Sequence, residues 1–256
     1  MRAKLTYLFL SALAVGLMSS CASDDPEVAP SGAEMKFAPG NVSRSTDVSN
    51  IKDNPFVVFC DRKREDDQLP IVLMNNVAVT YNPSTGGWEY SNPQFWFPDN
   101  EHSFVAIHPA SVVSAPDADA RYVSSKLTFT YTLPADYRQT ADILAATHRR
   151  RYTSGSTDEV SLRFAHMLSQ ISISPSLNDN IMGHDGYIEF YKLEVSGIKT
   201  KAAFSITPTT LLTADQTDDR EVDVAGKDAE GSLTIEFAEP KKVTNNREYV
   251  SLFDVN

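Results

Sequence analysis

Two cysteines, five histidines and a surplus of carboxylates are what the chain offers for catalysis or metal binding. The histidines are scattered, and no two stand at a ligand spacing such as His-x-x-x-His. His166 stands in phase with Leu162, Phe164 and Leu168 in an alternating run, which reads as a histidine at the edge of a core. The Asp66-Asp67 and Asp218-Asp219 pairs fall in polar turns, where solvation accounts for them. Asn178, Asn180, Gly183 and Glu189 match positions 1, 3, 6 and 12 of a calcium loop. Met182, however, takes a ligand position, and strand-like residues follow where a helix should leave, so the stretch reads as a hairpin loop. Phosphate-binding glycine loops and the Gly-x-Ser-x-Gly nucleophile turn do not occur. No catalytic constellation emerges, so the chain is expected to be neither an enzyme nor a carrier of a metal or cofactor.

The cysteines point elsewhere. Arg2 and Lys4 precede an apolar stretch from Leu5 to Met18, and Ser19-Ser20-Cys21 follows. This is the layout of a secretory signal over residues 1–20, with an apolar run too short to span a bilayer. Small residues before a cysteine look like a lipobox, with Met18 an unusual choice three residues upstream. Cleavage there would leave Cys21 to carry a lipid; an ordinary signal peptide is the other reading. Ala22-Ser23-Asp24-Asp25 is either an acidic export tag to the outer face of an outer membrane or a solvated linker. Cys60, within Pro55-Phe56-Val57-Val58-Phe59-Cys60, reads as a buried inert thiol. With Cys21 lipidated, Cys60 has no partner and the fold must hold without a disulfide.

Removal of residues 1–20 takes Arg2 and Lys4 away and lowers the formal charge from −11 to −13. Such a surface repels phosphate backbones, so nucleic acid is not an expected partner. Residues 21–35 are small, polar and proline-bearing, a flexible tether. Beyond them the dominant signal is alternation with period two. Leu127, Phe129, Tyr131 and Leu133 face one way and threonines the other; Phe104, Ala106 and His108 oppose Val105 and Ile107. Turn clusters such as Asn82 to Gly87, Pro98-Asp99-Asn100 and Lys227 to Gly231 end the runs. Short alternating strands with regular turns predict an all-β chain of antiparallel sheets packed as sandwiches.

The polar loop Tyr152 to Asp158 is the best break, giving domains at 36–156 and 157–256. The run Glu248 to Asn256 stops inside a strand pattern, so the second domain is expected to be incomplete. Pro134 to Arg151 is the one stretch of helical composition. His148 to Tyr152 is a basic cluster, expected in an exposed loop, with susceptibility to trypsin-like proteases as a second reading. Aromatics concentrate between Trp88 and Phe97. Trp88 and Tyr90 would share one strand face; Trp96 would oppose Phe95 and Phe97. Core packing explains such a cluster, and so does a Trp88/Trp96 platform that stacks on sugars.

In this order the segments resemble the fimbrillin family, the Mfa-like subunits of type V pili. Val42-Ser43-Arg44-Ser45-Thr46-Asp47-Val48 is similar to the family's Arg-small-Thr segment closing the first strand. Tyr81 to Ala110 is similar to its Tyr…Trp…Trp-Pro…Phe-x-Ala-x-x-Pro run, with Phe97 set between Trp96 and Pro98. Tyr131 to Thr147, Glu159 to Ser174 and Leu193 to Ile206 resemble later family segments. The resemblance implies two transthyretin-like sandwiches, and a strand rather than a helix at Asp142 to Thr147. It also implies assembly by strand exchange: a protease cuts after Arg44, the leading strand leaves, and a strand of another pilin subunit replaces it. Arg44 is alternatively a turn residue. The expected function is thus a structural or tip subunit of a surface pilus, lipid-held to the outer membrane before assembly and able to meet host or bacterial surface ligands. A surface glycan-binding lipoprotein is the alternative, favoured if Trp88 and Trp96 form an exposed platform.

Overall fold

A computed structural model describes residues 30–40, 49–157, 159–168, 187–209, 220–225 and 230–244. The strands are β1 (Lys36–Pro39), β2 (Phe56–Lys63), β3 (Ile71–Asn82), β4 (Gly87–Tyr90), β5 (Glu101–His108), β6 (Arg121–Val123) and β7 (Lys126–Thr132). They continue as β8 (Leu144–Arg151), β9 (Glu159–Leu162), β10 (Ala165–His166), β11 (Tyr187–Lys199), β12 (Lys201–Pro208), β13 (Arg220–Ala225) and β14 (Glu230–Thr244). Helix is confined, among the described residues, to α1 (Ser49–Asp53), α2 (Ser111–Ser114) and one 3₁₀ turn at Tyr137–Gln139.

An antiparallel six-stranded sheet, ordered β10-β8-β5-β2-β3-β4, forms the middle layer. A four-stranded sheet, β13-β12-β7-β6, packs on one face of it, making an all-β sandwich. Val57, Phe59, Val105, Ile107, Leu127, Phe129, Phe204 and Ile206 fill that interface, with Phe129 stacked on Phe204 at 5.1 Å. The other face carries a second core of Phe56, Val58, Cys60, Phe104, Leu144 and Phe164, covered by the two-stranded sheet β1-β9. β11 and β14 pair as a long antiparallel ribbon.

The two cores explain a departure from the alternation read in the sequence. Residues 102–108 of β5 are buried on both sides, because β5 lies in the middle of the middle layer. A strand covered on both faces has no polar side to alternate with. β7, in the outer layer, keeps its pattern: Leu127 and Phe129 are buried while Thr128 and Thr130 are half-exposed. The segment of helical composition becomes the 3₁₀ turn followed by β8, as the family resemblance implied. Five consecutive buried residues, Leu144 to His148, open that strand. Tertiary pairing with β5 outweighs the weak helix preference of Leu-Ala-Ala.

Two expectations need correcting. The basic cluster is the end of β8, not an exposed loop: His148 is buried and Arg149 bonds Glu101 at 2.6 Å. The loop at 152–158 does not separate one core from the other. β9, β10 and β12, all beyond it, pair with β1, β8 and β7, all before it, and Val160, Leu162, Phe204 and Ile206 enter the two cores. A polar loop marks a turn, and nothing in its composition says which strands pair across it.

Candidate functional site: a leading strand held between two walls

Residues 31–40 cross the second core as an extended segment, and two different walls hold its two halves. Over 31–35 it runs against Gln94 to Trp96: Ser31 N donates to Trp96 O (2.7 Å), Trp96 N to Ala33 O (3.0 Å) and Met35 N to Gln94 O (2.8 Å). Glu34 and Phe95 form an antiparallel bridge. Over 36–39 it changes partner and pairs in parallel with β9, from Lys36↔Glu159 to Pro39↔Leu162, and Gly40 N donates to Leu162 O (2.8 Å).

The side chains alternate. Met35 and Phe37 are 0% and 5% exposed, while Lys36 points to solvent. Phe37 meets Tyr90, Phe56 and Phe104 edge-on, with centroids 5.3, 6.2 and 6.3 Å away. Tyr90 also reads the strand's backbone. Its hydroxyl donates to Met35 O (2.9 Å) and accepts from Gln94 N (3.1 Å). Burial pushes the Tyr90 pKa up to about 12, so the donor stays protonated at any ordinary pH. Two buried side chains at about 1.5–3 kcal/mol each, with a handful of backbone bonds, hold this segment.

The wall at 94–96 has an unusual foundation. On the middle sheet Arg62, His102 and Arg150 are neighbours across β2, β5 and β8. The Arg62 guanidinium lies 4.0 Å from the Phe97 ring centre, and that of Arg150 lies 4.3 Å from Trp96. Trp96 is fully buried and stacks flat on Tyr152 at 4.8 Å, with His102 edge-on to it. Arg62 also donates to Asn100 Oδ1 (3.1 Å), and Arg150 donates to Thr157 O. His102 Nδ1 bonds Asn100 O (3.2 Å) and its Nε2 accepts from Phe97 N (3.4 Å), which requires the neutral ring. Burial, then the two guanidiniums, bring the His102 pKa down to about 3. Burial and Arg150 bring that of His148, two pairs along the β5–β8 ladder, down to about 4.

The structure bears differently on each residue singled out in the sequence. Cys21 and Arg44 lie outside the described residues. Trp96 is a core residue with no face left for a sugar, and Trp88 is half-buried against Phe56 and Tyr81. The exposed Trp88/Trp96 platform is therefore not formed; cation–π and stacking contacts consume the ring that it needed. Cys60 is fully buried, with its thiol pKa raised by desolvation. His166 sits at the core edge and bonds Asp142 at 2.7 Å, a partner the sequence did not reveal. Asp67 caps its own turn through Arg64 N (2.9 Å), and Glu189 lies on β11. Residues 178–186 and 218–219 lie outside the described residues.

Sequence reasoning also missed Asp61. It is 1% exposed on the face toward the outer sheet and accepts from Ser125 N (2.7 Å) and Oγ (2.8 Å). Ser124 and Ser125 form the β6–β7 turn with φ of 51° and 62°. Two left-handed non-glycine residues suit a tight hairpin only when something holds them, and Asp61 does. An aspartate directly after the apolar run Phe56 to Cys60 was the available signal. Among the described residues no cluster of three metal-ligating side chains occurs.

No curated protein and no solved structure matches the chain. A family model described as fimbrillin-like matches residues 43–251, most of the sequence. Together with the β-sandwich architecture, this match establishes that the chain belongs to the fimbrillin-like family of structural pilins.

Proposed function

We propose that the protein is a subunit of a type V pilus, structural or at the tip, delivered as a lipoprotein and assembled by strand exchange. Cys21 carries the lipid that holds it at the outer membrane. Cleavage after Arg44 separates residues 21–44 from the sandwich, β1 leaves, and a strand of the next subunit takes its place. The observation that carries this reading is the lodging of residues 31–40. They complete a core with two side chains, yet pair over only four residues with β9. Losing the segment exposes Phe56, Tyr90 and Phe104 together with two lines of unpaired backbone groups, and an incoming strand satisfies both. A covalent tie through residues 41–48 retains β1 until the cut, which prevents premature polymerisation.

Treating the mature protein with a trypsin-like protease tests this. The expected result is a stable product starting at Ser45, with oligomers growing as it forms, while Arg44→Ala stays monomeric. Cleavage without oligomers would remove the assembly role.

A further inference from the structure

We infer that the slot occupied by residues 31–40 is selective, accepting only a strand of one direction and one side-chain phase. The inference rests on the strand-exchange reading for its biological partner, but the selectivity follows from the two walls. One wall, Gln94 to Trp96, pairs antiparallel with the strand's first half. The other, β9, pairs in parallel with its second half. Parallel and antiparallel ladders space their hydrogen bonds differently. A strand entering the opposite way would meet each wall in the other geometry and misplace bonds along both.

Phase is set by the floor. The strand has one residue between its two buried side chains, so a slip by one turns Lys36 and Ala38 into the core and Met35 and Phe37 into water. The second position is an aromatic site: three rings meet Phe37 edge-on, an arrangement that an aliphatic side chain does not reproduce. Between the two positions the Tyr90 hydroxyl donates to a main-chain carbonyl, a contact available to any sequence that arrives in register. The occupant is therefore an extended segment of a second polypeptide, about ten residues long by the span seen here. It carries a large apolar residue, any residue, then an aromatic one, and runs N to C as β1 does.

The test uses the full chain with a site for a sequence-specific protease inserted between Val42 and Ser43. It is cut after folding, so the result does not depend on Arg44. A labelled peptide of residues 30–40 is added and binding is followed by anisotropy, with oligomers followed separately by size-exclusion chromatography. The native peptide should enter. A peptide with Met35 and Phe37 changed to serine should bind at least about 100-fold more weakly. So should a peptide of the same composition with residues 35/36 and 37/38 exchanged, and so should the reversed sequence, which offers the aromatic first to a strand running as β1 does and restores the native order only for one running the opposite way. Tyr90→Phe should weaken native binding about 5-fold. Equal binding of the shifted or reversed peptide, or no entry of the native one, would overturn the inference. Selective entry without oligomers would leave it standing and remove the polymerising role instead.

Discussion

His102 illustrates how little a single residue declares in a sequence and how much its setting decides. Flanked by Glu101 and Ser103, it looked like any strand histidine. Its place between Arg62 and Arg150 depends on two other strands and was not legible. Asp61 is similar: its sequence neighbours are apolar or basic, while its partner Ser125 is 64 residues away. Trp96 was legible first as an aromatic core residue, with a sugar platform as the alternative, because sequence carries no information on which face a stacked ring has free.

The histidines predict a pH dependence with a definite sign. In the unfolded chain a histidine takes a proton near pH 6.5. The folded values, about 3 for His102 and about 4 for His148, are lower, so the unfolded state binds more protons in between. Stability is therefore full above about pH 6.5 and falls as pH drops toward 4, by about 2 kcal/mol for each group at pH 5. Urea midpoints measured from pH 7 to 5 should fall, and His102→Gln should flatten the slope. Asp61 acts with the opposite sign: burial raises its pKa, so its charged form costs stability and the cost appears as pH rises through the folded value. Asp61→Ala should still destabilise, by about 1–3 kcal/mol, since it leaves the Ser125 N–H and the turn unsupported. An unchanged urea midpoint would show that the turn holds itself.

At the scale of elements, alternation located the strands well wherever one face met water, as in β7 and β9. It also located β5 but did not show that this strand is covered on both sides, and composition misled at β8. Pairing was the unreadable aspect. That β1 pairs in parallel with β9 and that β7 pairs with β12 depends on contacts between residues far apart in sequence. The leading strand gives the sharpest prediction at this scale. Phe37→Ala removes the aromatic plug and should cost about 3 kcal/mol. Most of that loss should be local: hydrogen exchange should accelerate through residues 31–40 and 159–162 while β7 and β12 remain protected. Uniform acceleration across both cores would mean that β1 belongs to a single cooperative unit and cannot leave alone.

For the whole molecule, the two cores divide the labour. The outer sheet on the middle sheet forms a sandwich to which β1 contributes nothing, so it can persist through an exchange. The second core is the one to which β1 contributes, through Phe37, with Met35 beside it. Under the proposed function a lipid on Cys21 would lie on the same side of Arg44 as β1 in the sequence, so one cut would both free the sandwich from the membrane and open the slot. Cys21→Ser should abolish incorporation of labelled fatty acid and release the uncut protein; retained labelling would refute lipidation at that residue. The central claim, that β1 is a temporary occupant surrendered at the cell surface, is tested most directly by N-terminal sequencing of the protein shed from intact cells. The account predicts a single start at Ser45. Surface protein that still carries residues 21–44 would contradict it.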